Sequence, residues 1–140
     1  CADIVVTSSS LRATDISCDE IPLLIDEIPL IALCATQAEG TTLIKGVSEL
    51  RFKETDRVNS IVSNLKRMGA DISAEDDDII VKGPCRLKGQ HGLESFDDHR
   101  TAMMLAVAGC IADDTTTINI TDCIATSFPG FLDTLKSLST

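Results

Sequence analysis

Apolar positions along this chain follow helical spacing in some stretches and strand-like alternation in others. Val58, Ile61, Val62, Leu65 and Met68 fall at the i, i+3, i+4, i+7 positions that place one helical face against a core. That helix has a marked end: Lys66 and Arg67 suit the dipole of a last turn, and Gly69 suits a left-handed cap. The β-branched stretches 3–7 and 11–16, separated by Ser8-Ser9-Ser10, predict an opening hairpin. Residues 41–46 predict a strand that leads through a turn at 47–49 into a strand-like entry at Leu50. Residues 71–74 and 79–82 flank an acidic turn and predict a second hairpin, and 115–121 predict a further strand. A helix is expected over 30–37, with Asp26 as its N-cap and Pro29 in its first turn. The run 101–112 is so apolar that a buried helix is expected, and Phe128-Pro129-Gly130 starts a last helix with Phe131, Leu132, Leu135 and Leu138 inward.

In order, these elements read hairpin, helix, strand, helix, and then the same again. Thr41-Thr42-Leu43-Ile44 and Thr116-Thr117-Ile118-Asn119 lie 75 residues apart, and the flanking helices follow in near register. The expected fold class is α/β, built from two copies of one unit over roughly residues 1–69 and 70–140; the competing reading is a single α/β sandwich. Units that each leave an apolar face open stack on neighbours, so a third copy or another partner is expected beside them.

Composition narrows the function classes. With 140 residues and 44% hydrophobic content the chain can bury a sizeable core. A formal charge of −10 excludes a general nucleic-acid or anionic-membrane surface, so any anion site must be local. The longest apolar runs are too short for a membrane span, and a soluble, cytoplasmic protein is expected. Six scattered cysteines, with Cys34 and Cys110 inside apolar runs, read as free thiols acting as small hydrophobes rather than as zinc ligands or disulfides. The chain opens with Cys1, not Met, which suggests a fragment or a processed product.

Charge gathers at the helix starts. Lys53-Glu54-Thr55-Asp56-Arg57 supplies a plausible N-cap in Thr55, yet it sets two cations at an end that prefers anions. Asp26-Glu27, Asp98-His99-Arg100 and Thr126-Ser127 occupy the corresponding places before the other helices. Singly, each is an ordinary cap or a surface ion cluster. If the units stack with helices parallel, the four clusters share one end, where arginines, a lysine, carboxylates and helix dipoles suit a phosphate or carboxylate ligand and acid–base chemistry.

Lys53-Glu54-Thr55-Asp56-Arg57, Asp98-His99-Arg100 with Ala102-Met103, Ser127-Phe128-Pro129 and Asp26-Glu27-Ile28-Pro29, in this order and spacing, resemble the C-terminal part of the 5-enolpyruvylshikimate-3-phosphate synthase family. The resemblance covers essentially the whole chain. It implies a two-domain enzyme whose domains each contain three βαβαββ units, with helix N-termini facing the cleft. It further implies transfer of the enolpyruvyl group of phosphoenolpyruvate to the 5-hydroxyl of shikimate 3-phosphate through a tetrahedral intermediate, with release of phosphate and no metal or organic cofactor. By position, Asp26 corresponds to the acceptor of the hydroxyl proton and Lys53 to a ligand of the same substrate. Glu54 corresponds to the group handling the proton at the methylene carbon, and Arg57 and Arg100 to the clamp on phosphoenolpyruvate, with His99 beside them. Thr126 departs from the lysine that many members carry there. An N-terminal domain of the same protein is implied as the partner that completes the phosphate sites, and this chain alone is expected to be inactive. The alternatives are a UDP-N-acetylglucosamine enolpyruvyl transferase on the same fold and a non-catalytic binding or scaffold module.

Overall fold

The structure, a computed structural model, describes residues 2–138. Its first sheet has four strands in the order β1-β2-β4-β3. β1 (Asp15–Ile16) runs parallel to β2 (Gly40–Ile44), and the crossover between them carries the short α1 (Ile21–Leu24) and α2 (Ile28–Ala35). A 3-10 helix (Ser48–Phe52) and α3 (Arg57–Arg67) then lead to the antiparallel pair β3 (Asp71–Glu75) and β4 (Asp78–Gly83). Because β4 also pairs antiparallel with β2, this is one βαβαββ unit, and its sheet continues past residue 70. The second unit starts the same way: β5 (Leu93–Glu94) is parallel to β6 (Ile118–Asn119), with α4 (His99–Ile111) in the crossover. The short α5 (Ile124–Ser127) and α6 (Phe131–Leu138) complete the described chain.

The core lies between the four-stranded sheet and helices α2, α3 and α4. Ile79 and Val81 of β4 alternate inward, as a half-buried strand requires, and meet the α3 face of Val58, Ile61, Leu65 and Met68, each fully buried. Burial of four such side chains contributes about 2 kcal/mol each, which anchors α3. Its end is a Schellman cap: Ala70 N–H reaches Leu65 O at 3.0 Å, Gly69 N–H reaches Lys66 O at 3.0 Å, and Gly69 has φ +90°.

The opening hairpin does not form. Ile4, Val5 and Val6 are 87–90% exposed, and the segment after them joins the edge of β2 in parallel, starting with a bridge from Arg12 to Glu39. A parallel neighbour needs a crossover, not a three-serine turn, and β propensity without a packing surface decides nothing. Leu50 lies in the 3-10 helix rather than in a strand. The predicted strand over 115–121 contracts to Ile118–Asn119, and Ile120 follows with φ +55°. α4 buries one side, with Thr101, Ala102, Met104, Leu105 and Ala108, while Ile111 stays 48% exposed. α6 buries none of its residues fully. Phe131 is half-buried and meets Phe128 edge-on at 5.7 Å, whereas Leu132 and Leu138 face outward because no described element covers them. Cys34 and Cys110 are exposed rather than packed inside; the five described cysteines are free thiols, and Cys1 lies outside the described residues.

Candidate functional site

Three helix starts meet at one point. α2, α3 and α4 place Asp26, Arg57 and Asp98 at their N-terminal ends, and the guanidinium of Arg57 joins all three. Its Nε donates to Asp98 Oδ2 at 2.6 Å, Nη1 to Asp26 Oδ1 at 2.9 Å, and Nη2 to Glu54 Oε2 at 2.5 Å. The Arg57 side chain is 1% exposed and Asp98 is enclosed completely, while Asp26 and Glu54 are 41% and 52% exposed. The guanidinium therefore has an interior face held by Asp98 and an outer face covered by two carboxylates in contact with water. One turn into the helices, the hydroxyls of Ser60 and Thr101 meet at 3.2 Å and keep α3 and α4 in register.

Asp26 is held from two sides. Arg100 donates from Nη1 to its backbone carbonyl at 3.0 Å, and Nη2 lies 3.0 Å from its Oδ2; Nη1 also lies 3.8 Å from Glu27. Partial burial pushes the Asp26 carboxyl up, but the Arg57 hydrogen bond and the charges of Arg100, Arg57 and Lys53 outweigh it and hold the group below the usual aspartate range. Burial likewise pulls Arg57 down, and its bonds to Asp98 and Asp26 with the charges of Asp98 and Glu54 push it above an ordinary arginine. Arg57 is thus a permanent cation, and Asp26 is ionised at neutral pH.

Two predicted caps move. Asp56, not Thr55, caps α3, accepting the Asn59 N–H at 2.9 Å. Glu27 stands at the N-cap position of α2 without a side-chain bond, because Asp26 is occupied by the two arginines. Lys53 is exposed just before α3, and His99 is half-buried in the first turn of α4. Thr126 lies within α5 rather than ahead of a helix, and its hydroxyl donates to Cys123 O at 2.6 Å. The same stretch reaches the site differently: Phe128 lines a cavity of about 260 Å³ whose walls also include Asp26, Pro29, Arg100, Met103 and Val107. Among the described residues no three His, Cys, Asp or Glu side chains are placed to hold a metal, and no helix is long and apolar enough to cross a membrane.

The family profile for EPSP synthase (3-phosphoshikimate 1-carboxyvinyltransferase) matches residues 1–135. The chain belongs to the EPSP synthase family. A 3-phosphoshikimate 1-carboxyvinyltransferase of Geobacillus kaustophilus is 51% identical over 137 residues, covering 97% of this chain, and one of Bacillus cereus is 48% identical over 138 residues, covering 99%. The chain spans 32% of the length of each, about a third. Among solved structures, an EPSP synthase from Acinetobacter baumannii superposes with a TM-score of 0.86 at 36% identity, over 93% of this chain and 30% of its own. The enolpyruvyl transferase NikO from Streptomyces tendae superposes with a TM-score of 0.72 at 24% identity, over 94% of this chain and 29% of its own, a likeness of fold. The repeated α/β architecture is thus that of EPSP synthases.

Asp98 stood among the charged helix starts in the sequence, but nothing there assigned it a role of its own. Its position directly before an apolar helix signals a cap, and it does cap α4. Its bond to Arg57 spans 41 residues and has no signature in local sequence.

Proposed function

We propose that this chain is part of the C-terminal domain of a 3-phosphoshikimate 1-carboxyvinyltransferase, acting with an N-terminal domain of the same protein. Such an enzyme moves the enolpyruvyl group of phosphoenolpyruvate onto the 5-hydroxyl of shikimate 3-phosphate. The observation that carries the reading is the convergence of Arg57 and Arg100 on Asp26, with Glu54 on the same guanidinium, at helix N-termini in a chain of this family.

In this reading Asp26, ionised and half-exposed, accepts the proton of the 5-hydroxyl as that oxygen bonds to C2 of phosphoenolpyruvate. Glu54 relays a proton from solvent to the methylene carbon C3 and takes one back from C3 as the C2–O bond to phosphate breaks, which restores the C2–C3 double bond, now as the enol ether of the acceptor, and releases phosphate. Lys53 binds near the acceptor hydroxyls. Arg100, 30% exposed, receives an anionic group of phosphoenolpyruvate directly, with His99 on the same turn. Arg57 is enclosed behind Asp26 and Glu54, so a substrate anion reaches it only as one of those carboxylates swings aside. Capture of the anion and release of the acid–base groups are then one event.

The test is phosphate release by the full-length protein carrying Asp26→Asn or Glu54→Gln. Each variant is expected to keep its fold, because both side chains are half-exposed, and to lose kcat by about 10²–10⁴-fold, the usual worth of a general acid or base. Arg100→Ala raises the KM for phosphoenolpyruvate. Turnover unchanged in Asp26→Asn and Glu54→Gln contradicts the catalytic reading and favours a scaffold, and turnover with a UDP-amino sugar in place of shikimate 3-phosphate reassigns the acceptor.

A further inference from the structure

The proton traffic above gives Asp98 no part, although it is the most enclosed charge of the cluster. Its two oxygens have separate duties. Oδ1 accepts the backbone N–H of Arg100 at 2.7 Å and of Thr101 at 3.0 Å, which fixes the carboxylate to the first turn of α4. Oδ2 faces the other way and takes the Nε of Arg57. Arg57 in turn carries Asp26 and Glu54 on its two remaining nitrogens. The order of support therefore runs from the α4 backbone to Asp98, to Arg57, and then to the two outer carboxylates.

Forces on the guanidinium are unequal. Asp26 and Glu54, both half-exposed, draw it toward water, and among the described residues Asp98 opposes them from within. The other charged groups around the cluster are Arg100 from α4, Lys53 before α3 and Glu27 before α2. On the interior side lies the buried thiol of Cys123, whose proton is held by burial together with the charges of Asp97 and Asp98. No cation among these replaces Arg57 as the group holding both carboxylates.

We propose that Asp98 is a positioning residue of the transferase: it holds Arg57 at the depth where one guanidinium carries Asp26 and Glu54 side by side. It acts through Arg57, without touching substrate, and so sets how strongly Asp26 takes a proton. The inference rests on the transferase reading.

Two substitutions separate this role from capping. Asp98→Asn keeps one oxygen for the two capping N–H groups but turns an amide N–H₂ toward the Arg57 Nε–H, donor against donor. Asp98→Ser keeps a good cap that is too short to reach Nε. Both are made in the full-length protein and followed by thermal melting, kcat, KM and the pH–rate profile. The expected result is folded protein with kcat/KM lower by about 100-fold, the effect of a misplacement near 1 Å. The acid limb of the profile moves to higher pH, because Asp26 loses the Arg57 hydrogen bond that lowers its pKa. Combined with Arg57→Lys, either substitution costs much less than the product of the single effects.

A cap alone would change the amount of folded enzyme and leave that limb in place. A kcat/KM within about twofold of the parent, or a loss that follows unfolding with the acid limb unmoved, overturns the proposal. If the parent protein itself shows no turnover, the transferase reading fails separately. Asp98 is then judged by carbon NMR titration of the Asp26 carboxyl, which rises in both variants if Asp98 positions Arg57 and stays put if it does not.

Discussion

Replacing Arg57 by methionine keeps an unbranched apolar stem and removes the charged guanidinium. The cost can be worked from where its partners lie. Asp98 is wholly buried, and breaking a buried ion pair from one side costs about 3–5 kcal/mol, because the surviving charge has neither partner nor water. Asp26 and Glu54 are about half exposed, so their loss of Arg57 adds at most about 1 kcal/mol each and is softened by solvent. The total of about 4 kcal/mol is a large share of the 5–15 kcal/mol that holds a domain together. Urea unfolding followed by circular dichroism reads it directly: with a slope of about 2 kcal/mol per molar urea, the midpoint of Arg57→Met falls by about 2 M. Adding Asp98→Asn to Arg57→Met removes the stranded charge and keeps the cap, so more than half of the loss returns. A midpoint within about 0.5 M of the parent, or a double variant as unstable as the two singles summed, would refute the claim that Asp98 and Arg57 form the buried centre of the cluster.

Three further outcomes are expected. Asn64, 1% exposed, donates to Glu94 O at 2.9 Å and accepts Glu94 N–H at 3.2 Å, so it serves β5 as a neighbouring strand would; Asn64→Ala should cost about 2 kcal/mol in a thermal melt. Gly83→Ala should be destabilised by about 1–3 kcal/mol in the same assay, because a Cβ there would stand 2.5, 2.7 and 2.9 Å from the carbonyl oxygens of Ala38, Ala35 and Thr36. Acid should unfold the chain in part through Asp26. A carboxyl held below its unfolded value contributes stability that is complete above about pH 4 and is lost as the pH falls through the lower folded value. Asp26→Asn should flatten that part of the pH–stability curve, and an unchanged curve would count against the lowered pKa.

What could be read from the sequence was local. α3 announces itself by five apolar positions on one face and a cap signal at Gly69, and the β3–β4 hairpin by alternation around an acidic turn. The opening residues mislead because β-branched side chains at Ile4–Val6 favour a strand only where a surface covers them, and here they face water. The β1–β2 pair is hidden for another reason: its partners lie 28 residues apart, as Asp15 and Leu43, with helices between them. Among site residues, the crowding of charge at the helix starts was visible. That Arg57 would be buried and shared among Asp26, Glu54 and Asp98 was not, because burial depends on three helices from distant segments closing over one guanidinium.

The central claim is that this cluster serves enolpyruvyl transfer, and it is tested most directly by phosphate release from phosphoenolpyruvate, measured on the full-length protein and on the 140-residue chain side by side. The account predicts release by the full-length protein that requires shikimate 3-phosphate, and none by the chain alone. Silence of the full-length protein with both substrates present would contradict it.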